Sequence, residues 1–277
     1  MNPTNPPHPY RGPLKAVILD WAGTVVDFGS FAPVAAFVRL FEGNGVALTV
    51  EAARRPMGKD KKSHLRELLS LPSVTECWRS MMGREPDETD VERLYLDFLP
   101  LQLAVLLERA SLIPGALGAV AELRRRGLKI GTTTGYSREL VDLLVPDAAR
   151  RGFCPDSVVC ASDVPAGRPE PWMALLSAQQ LKAYPMAALV KVGDTLPDIS
   201  EGLNAGMWAV GLSLSGNELG LDEAAFKRLP PDELSARRAE ISDRMFQAGA
   251  HYVVDGIWDL PPVLDEINLH LANGEQP

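Results

Sequence analysis

Three cysteines in 277 residues are too few for a disulfide scaffold. Cys77, Cys154 and Cys160 show no metal-type spacing, so reduced thiols and a cytoplasmic location are the expectation. Long apolar runs are also missing, and none reaches the ~20 residues of a membrane span. The opening MNPTNPPHPYRGP lacks the basic-then-apolar order of a secretion signal. Its prolines predict a disordered tail over residues 1–13. Positive charge is in deficit as well, since 28 Lys and Arg against 36 Asp and Glu leave a net charge of −8. Neither nucleic acid nor an anionic membrane suits that balance as a partner. An anionic small molecule would need a local cluster of cations or a metal.

What is present alternates. AVILD (16–20), LKIGTTT (128–134), SVVC (157–160), ALVKVGD (188–194) and MWAVGL (207–212) are short apolar runs ending in small or polar residues. Such runs are buried strands of a parallel sheet, and HYVVD (251–255) adds an edge strand. Helical stretches at 115–126, 137–151, 170–182 and 198–205 separate them. The fold class expected is α/β, a doubly wound, mostly parallel sheet. Residues 31–110 break the alternation and read as helical throughout, an inserted all-helical domain. The core is then 14–30 plus 111–277. The charged segment 217–247 reads as helical.

Ligands of open α/β sheets bind beyond the carboxyl ends of the strands. That rule selects Asp20, Thr132 to Tyr136, Asp163 to Arg168, and Asp194 to Asp198. Asp20 and Asp194 can hold Mg2+, a hard cation that takes carboxylates, waters and phosphate oxygens. The small residues after Asp20 permit a tight turn, so the Ala22 carbonyl can reach the same ion. Asp20 can also attack phosphorus to give an aspartyl-phosphate. Thr134 and neighbouring N–H groups can hold phosphoryl oxygens, with Arg168 as a bidentate cation.

LDWAGT, the Thr134 strand end, AGRPEP and VGDTLPD resemble the four motifs of the haloacid dehalogenase-like superfamily. Most phosphatases of that superfamily have a second aspartate two places after the first, as general acid and base. Here that place is Ala22. An alkoxide leaving group needs such an acid. Its loss means either an inactive protein or a leaving group that is not oxygen.

In RRPMGKDKKSHLRELL (54–69), read as one helix advancing about 100° per residue, Met57, Lys61, His64 and Leu68 share a narrow face. Lys59 and Lys62 point elsewhere. A lysine on a partly apolar face can stay neutral and form a Schiff base with an aldehyde. An iminium beside a carbon–phosphorus bond accepts the bond's electrons, so no acid is required.

PMG-x-x-K-x-x-H and DVPAGRP sharpen the likeness: from about residue 15 to 255 the chain resembles the phosphonoacetaldehyde hydrolase family. The resemblance implies hydrolysis of phosphonoacetaldehyde to acetaldehyde and phosphate, in 2-aminoethylphosphonate degradation. It implies Asp20 as nucleophile and Lys61 as Schiff-base lysine, with His64 as a proton relay. Mg2+ would lie on Asp20, Asp194 and the Ala22 carbonyl, with Asp198 orienting its waters. Met57, Gly58, Thr134, Gly135, Tyr136 and Arg168 would line the substrate site, and a homodimer would form through the insert. Ser30 stands where family members often carry a cysteine. The alternatives are a phosphate-ester phosphatase or phosphomutase of the same superfamily, or a non-catalytic protein that binds phosphoryl ligands.

Overall fold

The computed structural model describes residues 9–277. Six strands form one sheet in the order β3-β2-β1-β4-β5-β6, and every pair is parallel. They are β1 (Ala16–Leu19), β2 (Lys129–Thr134), β3 (Ser157–Cys160), β4 (Leu189–Gly193), β5 (Trp208–Leu212) and β6 (Tyr252–Val254). The chain contains α1 (Phe31–Gly43), α2 (Val50–Arg54), α3 (Lys61–Leu69), α4 (Pro72–Met82) and α5 (Glu88–Arg109) between β1 and β2. It continues with α6 (Ala116–Arg125), α7 (Arg138–Arg150), α8 (Trp172–Leu181) and α9 (Leu196–Asn204). After β5 come α10 (Glu223–Arg228), α11 (Pro231–Gln247) and α12 (Leu260–Asn273). This is the doubly wound architecture expected, with the sheet wholly rather than mostly parallel.

Both faces are covered because the strands are apolar on both. In β1, Val17 and Leu19 join the cluster containing Val120, Leu123 and Ile267, while Ala16 and Ile18 pack with Ala174, Ala178 and Leu181. The alternation follows from the two-residue period of a strand. The order reverses at β1, whose neighbours are β2 and β4, so the crevice of the switch point opens above Asp20.

The insert has its own apolar core, in which Phe37, Phe41, Leu65, Leu68, Trp78, Leu94 and Phe98 meet. Burying each such side chain stabilises by ~1.5–3 kcal/mol, which lets five helices hold together without a strand. Helix α5 is shared: Val91 and Leu94 belong to the insert's cluster, whereas Leu106 lies in the core of the sheet domain. The two connections to the insert also pair with one another, Asp27 N donating to Ser111 O and Ile113 N to Val25 O.

Of the tail expected over 1–13, residues 1–8 lie outside the described ones. Residues 9–13 differ from the expectation of disorder. The Tyr10 ring packs against the core, its hydroxyl donates to Pro13 O at 2.7 Å, and Gln276 Nε2 donates to its carbonyl at 3.2 Å. Among the described residues no helix is long and apolar enough to cross a membrane.

Candidate active site

The floor of the site is ionic. Asp20 follows β1 and its N–H donates to Val192 O, which sets it beside the end of β4, where Asp194 follows Gly193. The carboxylates of Asp20, Asp194 and Asp198 offer oxygens within 4.8 Å of one another. The chain can bring them so near only because Gly23, with φ +77°, follows the first strand: a Cβ there would lie 2.0 Å from Asp194 Oδ2.

Arg168 lies buried among these acids. It donates through Nη2 to Asp20 Oδ1 at 2.8 Å and to Thr133 O at 2.9 Å, and through Nε to Glu201 Oε2 at 2.8 Å. Its Nη1 meets Asp198 Oδ1 at 3.0 Å. The expectation of a guanidinium free to grip phosphate in a bidentate fork is therefore corrected, because its donors are spent on the protein. Arg168 fixes Asp20 and tempers its charge.

Asp198 is likewise committed. Its oxygens accept from Lys191 Nζ at 2.7 Å and Thr195 Oγ1 at 2.6 Å, besides Arg168. It therefore holds Arg168 and Lys191 in place and has no free oxygen for orienting water. Asp194 differs. Oδ2 accepts from Asn217 N at 2.7 Å, but the buried Oδ1 has no partner.

Of the four buried acids, Asp20, Asp198 and Glu201 share two buried cations, Arg168 and Lys191, whereas Asp194 has no cationic partner. Burial, aided by Asp20 and Asp198, pushes the Asp194 carboxyl well up, and burial raises Asp20 against the pull of Arg168. Burial would also raise Asp198, yet Arg168 and Lys191 outweigh it and hold that group below the usual range. Three clustered buried carboxylates, with Asp194 Oδ1 left without a partner, suit a divalent hard cation.

The wall comes from the insert. Residues 54–69 are not one helix: α2 ends at Arg54 and α3 begins at Lys61. Pro56 and Gly58, the latter at φ +91°, interrupt the helix, and Asp60 caps α3 by accepting from Ser63 N at 3.0 Å. The wheel drawn through Met57 therefore fails for that residue, and Met57 and Gly58 reach the site from a turn. Lys61 and His64 remain on one helix, three residues apart.

Lys61 is buried and its Nζ makes no hydrogen bond or ion pair among the described residues. The ammonium position lies 5.3 Å from the centroid of Tyr136 and 5.6 Å from that of Phe37. Burial lowers its pKa to about 8, against the pull of Asp20 and Asp60. The neighbouring amines are paired elsewhere, Lys59 with Glu67 and Lys62 with Glu92. Burial, not helical angle alone, separates Lys61 from them.

Asp20, Ala22, Met57, Gly58, Lys61, Thr134, Gly135, Tyr136, Arg168 and Asp194 line one pocket, together with Ser30, Pro33, Thr195 and Lys59, whose amine is paired with Glu67. Its volume is about 20 Å3, room for little more than a water, so the insert is closed on the sheet domain. A second cavity of about 430 Å3 shares Lys61 and Gly135 as walls and opens between α3 and the loop 161–167.

His64 is not on that lining. It stacks on Phe37 with ring centroids 3.9 Å apart, and its Nε2 lies 2.9 Å from Ala53 O. A carbonyl only accepts, so Nε2 carries the proton and Nδ1 is a buried lone pair without a partner. Burial and the neighbouring Lys61 hold the ring well below its ordinary pKa. The expected relay is a neutral imidazole behind the lysine.

Sequence reasoning missed Lys191, Glu201 and Asn217, while Thr133, inside the strand end it selected, meets Arg168. One signal was available: a lysine inside the apolar strand ALVKVGD requires a buried counter-charge, supplied by α9 through Asp198 and Glu201. Ser30 lies buried with φ 54°, and the capping of α1 falls to Asp27, which accepts from Ala32 N at 2.8 Å.

Comparison with known proteins agrees with this geometry. The haloacid dehalogenase-like hydrolase family matches residues 14–206. A phosphonoacetaldehyde hydrolase of Syntrophobacter fumaroxidans is 51% identical over 269 residues, 97% of either chain. One from Nitratidesulfovibrio vulgaris is 47% identical, covering 97% of this chain and 96% of its own. The crystal structure of a phosphonoacetaldehyde hydrolase-like protein from Oleispira antarctica superposes with TM-score 0.96 at 43% identity, all of both chains being covered. The chain therefore belongs to the haloacid dehalogenase-like hydrolases and, among them, to the phosphonoacetaldehyde hydrolase family.

Proposed function

We propose that this protein hydrolyses the carbon–phosphorus bond of phosphonoacetaldehyde, releasing acetaldehyde and phosphate, as a step of 2-aminoethylphosphonate degradation. One observation carries the reading: an unpaired buried amine, Lys61, shares a pocket with Asp20, while Ala22 replaces the acid an ester would need. Relatives 45–51% identical bear the corresponding name.

With a pKa of about 8, roughly a tenth of Lys61 is neutral at pH 7. An exposed lysine near 10.4 would be about 0.04% neutral. The amine adds to the aldehyde carbon and water leaves, giving an iminium. Asp20, aligned by Arg168, attacks phosphorus, and the C–P electron pair moves into the iminium to form an enamine. Protonation at carbon and hydrolysis of the imine release acetaldehyde and regenerate the amine. A second water hydrolyses the aspartyl-phosphate.

Mg2+ would be held by Asp20, Asp194 and the Ala22 carbonyl; the orphaned Asp194 Oδ1 and the unmatched charge support it, and the ion would screen phosphonate from the carboxylates. Three free cysteines support a reducing, cytoplasmic setting, and the exposed Met81, Met82 and Leu96 of the insert support a homodimer through it.

Borohydride added with phosphonoacetaldehyde should inactivate the protein irreversibly and add the mass of a reduced two-carbon adduct at Lys61. Turnover of phosphate esters without such labelling would overturn the reading.

A further inference from the structure

Arg54 belongs to the insert yet spends its side chain on the sheet domain. At the end of α2 it donates through Nη1 to Gly29 O at 2.7 Å and to Asn217 Oδ1 at 3.2 Å, and through Nη2 to Gly220 O at 3.4 Å. Its guanidinium carbon stands 4.7 Å from the centroid of Phe31. Asn217 returns the contact, Nδ2 donating to Arg54 O at 3.3 Å. The backbone N–H of the same Asn217 donates to Asp194 Oδ2 at 2.7 Å. The loop carrying Asn217 is also sewn to the turn after β1, for Ser215 Oγ donates to Gly23 O and Gly29 N donates to Ser215 O.

We propose that the Arg54–Asn217 pair is a latch which, once the insert closes, holds Asp194 in the rotamer that engages Oδ2 and leaves Oδ1 free of protein partners. Arg54 is then a positioning residue: it does not line the pocket, and it acts through one side chain and one peptide N–H. The physical basis is directional. A planar guanidinium spreads its donors over separate nitrogens in a fixed fork and so reaches acceptors on two loops at once, whereas an ammonium's three donors radiate from a single atom. The donor that orients Asp194 sits on the very residue Arg54 grips. The catalytic consequence rests on the function proposed above, whereas the geometric one does not.

Mn2+ titration of the full-length protein, read by electron paramagnetic resonance without substrate, tests the latch directly. Arg54→Met and Asn217→Ala should each weaken Mn2+ binding about tenfold, the scale of losing a residue that orients a ligand. The double variant should be no worse than either single one, because both break the same link. Arg54→Lys, which keeps charge but loses the fork, should fall between and guards against misfolding of the bolder variants, with circular dichroism melts run in parallel. With phosphonoacetaldehyde the loss should appear in kcat more than in KM. Unchanged Mn2+ affinity in the variants, or losses that add, would overturn the latch. Absence of phosphonoacetaldehyde turnover by the unaltered protein would overturn the proposed reaction instead, and the Mn2+ readings would still judge the latch.

Discussion

The floor and the wall of the pocket treat buried charge in opposite ways. On the floor, Arg168 and Lys191 are saturated by Asp20, Asp198 and Glu201, so each charged group is fixed in position. On the wall, Lys61 is equally buried but has no partner, only the faces of Tyr136 and Phe37. A cation held by carboxylates cannot become a nucleophile, and one left among aromatic rings can, because burial without compensation favours the neutral amine. The site thus keeps an orienting framework and a reactive amine in one pocket by giving counter-charges to one and withholding them from the other.

Breaking the wall should have the largest effect. Lys61→Arg removes the buried amine that the pocket leaves unpaired, and C–P cleavage should fall by ~10⁴-fold or more, as for loss of a covalent nucleophile. Steady-state kinetics and the loss of borohydride trapping would check it.

Breaking the floor comes next. Arg168→Met leaves Asp20 without its ion-pair partner and Glu201 with Lys191 alone, and unfolding free energy should drop by ~3–5 kcal/mol, the cost of removing one partner of a buried ion pair. Urea denaturation would read it. Lys61→Met should do the reverse, stabilising the fold, since it deletes a buried amine that had no partner.

A pH series sharpens the contrast. Lys61 has a folded pKa of about 8, below its unfolded value, so between pH 8 and about 10.4 the unfolded chain binds more protons. Its destabilising effect is full below pH 8 and disappears as pH rises to about 10.4, a total of ~3 kcal/mol. The stability gap between Lys61→Met and the unaltered protein should therefore shrink over that window. The rate of iminium formation should rise with pH and level off above about 8.

The smallest effect is expected at Ser30→Cys. That side chain is buried at the pocket edge and makes no cap bond to α1, so kcat/KM should hardly change.

Much of this was legible in the chain. Strand ends, the all-helical break after β1 and the carboxylates of Asp20 and Asp194 follow from periodicity and from where open sheets bind ligands. The departures have local causes. Pro56 and Gly58 stop a helix that the apolar spacing would have continued, so Met57 arrives on a turn. Arg168 and Asp198 carry the right chemistry for a phosphate grip and a water anchor, but their free valences depend on Lys191, Thr133 and Glu201. For Arg168 those partners lie 33 or more residues away at Glu201 and Thr133, and for Asp198 the nearby Lys191 is brought in only by the pairing of α9 with β4. His64 shares the face of Lys61, yet Phe37 and the Ala53 carbonyl claim its ring and turn it from the cavity.

The sequence by itself determined the chemistry on offer: a nucleophilic carboxylate without its acid, a lysine in a PMG-x-x-K-x-x-H turn, and a sheet to bear them. These are local properties of residue type and spacing. Which amine is unpaired, which acids are spent and which oxygen is orphaned were decided only by tertiary structure. Protonation and orientation depend on burial and partners, and the residues supplying both converge from β4, α9, α3 and the loop at Asn217 only when the chain has folded.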